Sequence, residues 1–400
     1  MKSIKVRLEL NNEQATKAVK HAGCARHAYN WGVDVCRKAF EAKEKIPSAI
    51  DLHKKLVAEV KTVHPWYYES SKCAPQQALR NLQTSYANFH RKQKKSGYKL
   101  VKKIKRNGVV LKTVLEGLPQ FKKRGVNDSF YLEGAIYTDK NKIKLPRFGW
   151  LKCSEDLPPV EIKNVVISRT ANDWFVSFKV PHAPKITEKT RGFVGVDLGI
   201  KTLATLSDGK VFEAIKPYKK HKRKLKILQR RLSKKFIKDK PASKNYKKAQ
   251  QKVAKLHQRI ANVRKDYTHK LTSYLAKNHS EIVVETLNVK GMSKNHRLAS
   301  EILDGGFFEF TRQLEYKSGW YGSKLTKVST FYPSSKTCSR CKAKKQTLKL
   351  SERIFHCEHC GCSIDRDLNA SLNLKSMAVS STVTACGEVN QVEHYAQLSL

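Results

Sequence analysis

Gly192-Phe193-Val194-Gly195-Val196-Asp197-Leu198-Gly199-Ile200-Lys201-Thr202-Leu203-Ala204-Thr205-Leu206-Ser207-Asp208-Gly209-Lys210-Val211-Phe212 reads as a strand that ends on an acid, a return strand, and a turn into a third. Phe193 to Asp197 is a short apolar run, and Asp208-Gly209 is a tight-turn signal, so the stretch predicts an antiparallel meander. A carboxylate closing an apolar strand costs several kcal/mol unless it is paired, protonated or bound to metal. Asp197 occupies that place.

Two more acids arrive from distant segments. Glu281-Ile282-Val283-Val284-Glu285 reads as a second buried strand closing on a carboxylate, and Leu325 to Val328 as a further strand after the helix around Phe307 to Trp320. Ser363 to Leu374 reads as a last short helix, with Asp367 near its start and Leu368, Leu372 and Ala378 on its buried side. Three acids converging on one α/β core could hold two divalent ions about 4 Å apart, the arrangement that activates water and stabilises the leaving oxygen in phosphodiester hydrolysis. On spacing alone other readings stay open. Asp197 could form a turn ahead of Gly199, Glu285 could lie on the surface, and Asp365 or Asp367 could serve as a helix N-terminal charge.

The charge balance names a partner class. Eighty Lys and Arg stand against 34 Asp and Glu, a formal charge of +46 over 400 residues. Such a surface repels itself unless a polyanion covers it, which points to nucleic acid, with a ribosomal or merely solubilising basic surface as the alternative. Residues 218–266 concentrate twenty of these cations against Asp239 and Asp266. Leu225, Leu228 and Leu232, then Val253, Leu256, Ile260 and Val263, keep heptad-like spacing there. That predicts a basic helical hairpin, broken near Pro241, that faces phosphate.

Upstream, Met1 to Leu10 alternates like a strand, and Asn12 to Phe40 has helical spacing. A second helix over Lys72 to Lys92 buries Ala78, Leu82, Tyr86 and Phe89 and leaves Gln76, Gln77, Arg80 and Asn81 on other faces. From Tyr98 to Pro181 short strands broken by glycine and proline suggest a small β-barrel completed by the first strand, with the helices as an insertion. The amino terminus lacks a secretory h-region, and no segment approaches the roughly 18 apolar residues of a membrane span. A reducing cytoplasm, bacterial or archaeal, is the expected compartment, and clustered cysteines there read as metal ligands. Cys338-Ser339-Arg340-Cys341 and Cys357-Glu358-His359-Cys360, fifteen residues apart, fit a two-knuckle site in which four thiolates close a zinc tetrahedron. With no open position, that zinc is structural. Cys362, His356 and His359 lie near enough to compete.

Gly195-Val196-Asp197-Leu198-Gly199-Ile200-Lys201, Val284-Glu285-Thr286-Leu287-Asn288 and Asp365-Arg366-Asp367-Leu368-Asn369-Ala370-Ser371-Leu372-Asn373 resemble the three RuvC-type motifs of the TnpB (OrfB) proteins of insertion sequences, relatives of the type V CRISPR effectors. The likeness extends to Gln77 to Leu82, Leu145 to Trp150, Arg264 to Leu271 and Tyr332 to Ser335, and so spans most of the chain. It implies an RNase H-like (RuvC) nuclease core with a zinc ribbon, and a β-barrel wedge domain with an inserted helical recognition domain. The boundaries expected are 1–10 and 98–184 for the barrel, 11–97 for the helical insert, and 185–335 with 363–376 for the core. The zinc ribbon falls at 336–362 and a flexible tail at 377–400.

The resemblance also implies an RNA-guided DNA endonuclease, with Asp197, Glu285 and Asp367 as the magnesium ligands and Asp365 left to cap the helix. The partners implied are a guide RNA and double-stranded DNA carrying a short adjacent motif. Lys72, Gln76 and Arg80 are the candidate readers of that motif, glutamine being able to bond an adenine edge bidentately. A guide-directed DNA-binding regulator without cleavage and a guide-independent transposase or resolvase are the alternative functions.

Overall fold

The computed structural model describes residues 1–97, 99–104, 110–237, 241–349 and 351–378. The tail expected at 377–400 lies, from residue 379 onward, outside the described residues. The chain divides into two compact units, Met1–His182 and a second beginning at Ala183.

In the first unit, β1 (Lys2–Glu9) leads into α1 (Asn12–Glu41), which is opened by a capping box between Asn11 and Gln14. Small residues on α1, Ala18, Ala22, Ala25 and Ala28, are buried. A Cβ on Gly32 would fall 2.8 Å from Leu82 and 2.9 Å from Leu79, so the glycine lets α4 approach closely. After α2 (Ala49–Lys55) and the single turn α3 (Lys61–Val63), α4 (Cys73–Ser96) buries Ala78, Leu82, Tyr86 and Phe89, the face its spacing predicts.

β4 (Ser129–Asp139), β5 (Lys142–Leu145), β6 (Gly149–Cys153), β7 (Ile162–Thr170) and β8 (Asp173–Val180) close a barrel with β1 in the order β1-β6-β5-β4-β7-β8. Strand one does complete it, pairing Lys2 with Val180 and Leu8 with both Trp174 and Cys153. The strands β2 (Leu100–Ile104) and β3 (Val110–Leu115) differ from the expectation, because they form a hairpin of their own outside the barrel.

The second unit is built on a five-stranded sheet. β9 (Arg191–Asp197), β10 (Thr202–Leu206) and β11 (Val211–Glu213) form the antiparallel meander, and β12 (His279–Glu285) and β13 (Lys324–Val328) join it in parallel, giving the order β11-β10-β9-β12-β13. This is the RNase H-like sheet. Between β11 and β12 run α5 (Pro217–Ser233) and α6 (Lys244–Asn278), which meet through Leu225, Leu256 and Ile260. The predicted basic hairpin is therefore a helical pair, and its second arm runs on to residue 278 because Leu271, Leu275 and Ala276 pack into the sheet's core. α7 (Val289–Met292), α8 (Ala299–Gly305) and α9 (Phe307–Tyr321) precede β13.

β14 (Ile354–His356) and β15 (Ser363–Asp365) form a small hairpin in the cysteine module. The last helix, α10, spans residues 366–378. It was expected from Ser363, but Ser363 to Asp365 pair with His356 to Ile354 as a strand, and the helix begins only after Asp365. Its buried face also differs. Ala378 is buried as expected, but Asn369, Ala370, Ser371, Asn373 and Leu374 are buried with it, whereas Leu368 and Leu372 are only half so.

Candidate active site

β9 and β12 are neighbouring parallel strands, and Val196 stands opposite Val284. The next residue on each is the acid, so Asp197 and Glu285 leave the carboxyl ends of two adjacent strands side by side. That edge is where open α/β sheets bind ligands. Asp367 is brought from α10. Its seat is made by Gly195, where a Cβ would fall 1.9 Å from the Ser371 carbonyl oxygen and 2.6 Å from the Lys375 amide. The backbone of α10 thus rests directly on β9, two residues before Asp197.

Any side chain at that position must push the helix away, and backbone on the far side cannot rotate clear. Gly195→Ala is expected to cost about 3 kcal/mol by overpacking. A shift of about 1 Å in Asp367 is enough for roughly a hundredfold loss of activity. Wild-type melting temperature in the purified variant would contradict the contact.

The carboxyl groups sense one another. Burial, then the charges of Asp367 and Glu285, push Asp197 up to about 7, with Arg366 working the other way. Burial raises Glu285 as well. No donor from the described residues hydrogen-bonds either carboxylate. Asp367 is held differently, accepting from Nε (3.2 Å) and Nη2 (3.1 Å) of Arg366. The Arg366 Nη1 in turn donates to the Glu352 carbonyl at 3.1 Å.

Asp365 accepts from the amides of Asp367 (2.9 Å) and Leu368 (3.0 Å), which is the N-cap bond that spends its oxygen on the helix. Asp197 and Glu285 therefore present hard oxygens that no donor among the described residues satisfies.

The four cysteines are drawn together more tightly. Their sulfurs all lie within 4.8 Å of one another, Cys338 to Cys360 at 3.7 Å and Cys341 to Cys357 at 3.5 Å. A tetrahedron with arms of roughly 2.3 Å spaces its corners by about 3.8 Å, so the cluster fits a zinc ribbon. Burial works to raise the Cys338 thiol, but the Cys341 and Arg340 amides and the neighbouring thiols bring it down to about 6, towards the thiolate that zinc binds. Cys362, His356 and His359 stand outside the quartet among the described residues.

α10 joins this ribbon to the acids. Asn369 accepts from the Ser339 amide at 2.9 Å and donates to the Thr337 carbonyl at 2.7 Å. Asn373 donates to the carbonyls of Ser334 (2.9 Å) and Thr337 (2.6 Å). Sequence reasoning missed these two clasps and Arg366, although two asparagines four residues apart on one helix face were signal enough.

Lys72, the residue before α4, and Arg80 on it are exposed, while Gln76 lies four residues from each and its amide meets His53 Nε2 at 3.1 Å. Among the described residues no helix is long and apolar enough to cross a membrane.

A family profile described as "Probable transposase" matches residues 175–296, one described as "Cas12f1-like, TNB domain" matches 307–374, and a "Helix-turn-helix domain" profile matches 1–45. The chain is 32% identical to the Escherichia coli (strain K12) protein named "Putative RNA-guided DNA endonuclease InsQ", with 98% of this chain and 95% of that one aligned. It belongs to the TnpB (OrfB) family.

A Streptomyces pristinaespiralis relative, "Putative RNA-guided DNA endonuclease", is also 32% identical, over 97% of this chain and 91% of its own. Among solved structures, a chain of a Cas12f1-sgRNA-target DNA complex superposes with a TM-score of 0.50 at 16% identity, covering 91% of this chain and 83% of that one. That likeness concerns the fold. The profile over 307–374 takes in α9, β13, the ribbon and most of α10, and the Asn369 and Asn373 clasps tie that helix to the ribbon.

Proposed function

We propose that this TnpB-family protein is an RNA-guided endonuclease that cuts double-stranded DNA beside a short adjacent motif. The observation that carries the reading is the convergence of Asp197, Glu285 and Asp367 at one edge of an RNase H-like sheet, where burial first and then the charges of Asp367 and Glu285 raise Asp197 to about 7. Asp197, Glu285 and Asp367 would hold magnesium, most simply two ions. Bound there, the metal supplies an activated water and neutralises charge on the leaving oxygen.

The chain's own residues do the rest. Asp197 and Glu285 present oxygens from fixed strand ends, α10 carries Asp367 against them, and Arg366 orients that carboxylate. The zinc held by Cys338, Cys341, Cys357 and Cys360 is structural.

In this reading residues 1–10 and 98–184 are the wedge, 11–97 the recognition insert, 185–335 with 363–376 the nuclease core, and 336–362 the ribbon. Sequence recognition falls to the guide, and the protein grips phosphate with the α5–α6 pair. Lys72, with Gln76 and Arg80 on α4, reads the adjacent motif, and the work is done in the cytoplasm.

The test is to co-express the protein with RNA transcribed from its own flanking DNA, purify it, and present a duplex library with Mg²⁺ or EDTA. Co-purifying RNA and Mg²⁺-dependent cuts next to one short motif are expected. Protein that emerges free of RNA, or cuts made in EDTA, would overturn the proposal.

A further inference from the structure

Phe308, in the first turn of α9, turns its ring to solvent and is 71% exposed, while Phe307 beside it is buried at 2%. An exposed phenylalanine alone means little. Phe308, however, walls two adjoining hollows. One, of about 320 Å³, is shared with Ala261, Arg264 and Lys265 of α6 and Val289 of α7. The other, of about 400 Å³, is shared with Thr286, Leu287 and Asn288, the residues that follow Glu285, and with Lys290. Both volumes fall in the roughly 300–1,000 Å³ range of ligand sites. The ring therefore stands between the basic helix pair and the exit of the strand that carries an acid.

The charge around it is selective. Arg264 is committed to Asp304 at 2.7 Å, Arg312 to Glu309 at 2.7 Å, and Lys327 to Glu315. Lys265 and Lys290, one at each hollow, have no carboxylate partner among the described residues. An apolar helix laid in these hollows would bury both ammonium groups unpaired, which is costly. A nucleic-acid strand has what both features want, a π-face for the ring and phosphates for the lysines.

We propose that Phe308 is a base-stacking post for single-stranded DNA on its way to the acids. Unstacked bases rest against the ring in the two hollows, and Lys265 and Lys290 hold the phosphates on either side. This deepens the nuclease reading and rests on it for the identity of the strand.

The experiment uses the full-length, RNA-loaded protein with Mg²⁺ omitted and the ribbon zinc retained, so binding is read without cutting. Fluorescent oligo(dT) and oligo(rU) are titrated at about 1 M salt, where the screening length falls to about 3 Å and stacking stands out from charge. Phe308→Ala should weaken oligo(dT) binding by about tenfold or more, and Phe308→Trp should restore it. Lys265→Ala and Lys290→Ala should each lower the salt dependence measured at lower ionic strength. With 5-iodouracil in the strand, the photo-crosslinked peptide should contain Phe308.

Unchanged oligo(dT) affinity in Phe308→Ala, with melting temperature and zinc content of the wild type, would overturn the proposal. So would a Phe308-dependent preference for oligo(rU), which would assign the post to guide RNA. Because none of these readouts requires cleavage, failure of the nuclease reading leaves them interpretable.

Discussion

Asp197→Ala is expected to abolish DNA cleavage while leaving the protein folded and RNA-bound. Removing one carboxylate from a three-acid site withdraws a ligand from the metal that stabilises charge in the transition state. That stabilisation amounts to several kcal/mol, which at 1.36 kcal/mol per decade is at least about a thousandfold in rate.

The same site makes a second claim, about stability. Asp197 titrates near 7 in the folded chain against 3.8 for a free carboxyl, because it is buried beside Asp367 and Glu285. Between those values the folded chain binds the extra proton. Stability of the metal-free protein therefore falls as pH rises from about 4 through about 7, and does not recover above it. Asp197→Asn keeps the shape and removes the charge, so with Mg²⁺ omitted and the zinc retained at about pH 8 it should melt above the wild type. Added Mg²⁺ should reverse that order by binding only the wild-type site well. The assignment is wrong if cleavage persists in either variant, or if the two melting temperatures without Mg²⁺ stay equal from about pH 5 to about pH 8.

The sheet was legible in the sequence because its strands are short apolar runs with unambiguous turns. Phe193 to Asp197, Thr202 to Leu206 and Glu281 to Glu285 all fall within observed strands. The four cysteines were legible because ligand spacing is local, and the structure gathers their sulfurs. What sequence could not show was anything set by contact across the chain. Gly195 reads as one glycine among nineteen until α10 is seen lying on it.

The clasps of α10 were hidden for a related reason. Apolar periodicity assigned the buried face to Leu368 and Leu372, but Asn369 and Asn373 take it because the ribbon backbone offers each amide its partners. Ser363 to Asp365 misled in the same way, since a strand of three residues is too short to leave a period. Between Asp365 and Asp367, spacing left the choice open; in the structure two amides bond to Asp365 as a helix cap, whereas Asp367 is held by Arg366.

Loss of zinc should disable the acids without touching them. Among the described residues the ribbon's core is Cys338, Phe355 and Cys357 with a few half-buried neighbours, too little to fold unaided. Structural zinc in modules of this size contributes on the order of 10 kcal/mol, so Cys338→Ser or a strong chelator should unfold it. Unfolding removes the Ser334 and Thr337 carbonyls and the Ser339 amide from Asn369 and Asn373, and the Glu352 carbonyl from Arg366. α10 then holds buried amides with no partners, at about 1–3 kcal/mol each, and Asp367 loses its register on β9.

The expected result is loss of cleavage together with faster amide exchange over residues 366–378. Asn369→Ala separates this coupling from a general failure to fold. It should keep full zinc stoichiometry and guide RNA, yet cut at least about tenfold more slowly, since misplacing a ligand by about 1 Å suffices. Cleavage at the wild-type rate by Asn369→Ala, or protected amides in α10 after zinc is stripped, would show that the ribbon and the metal centre stand independently.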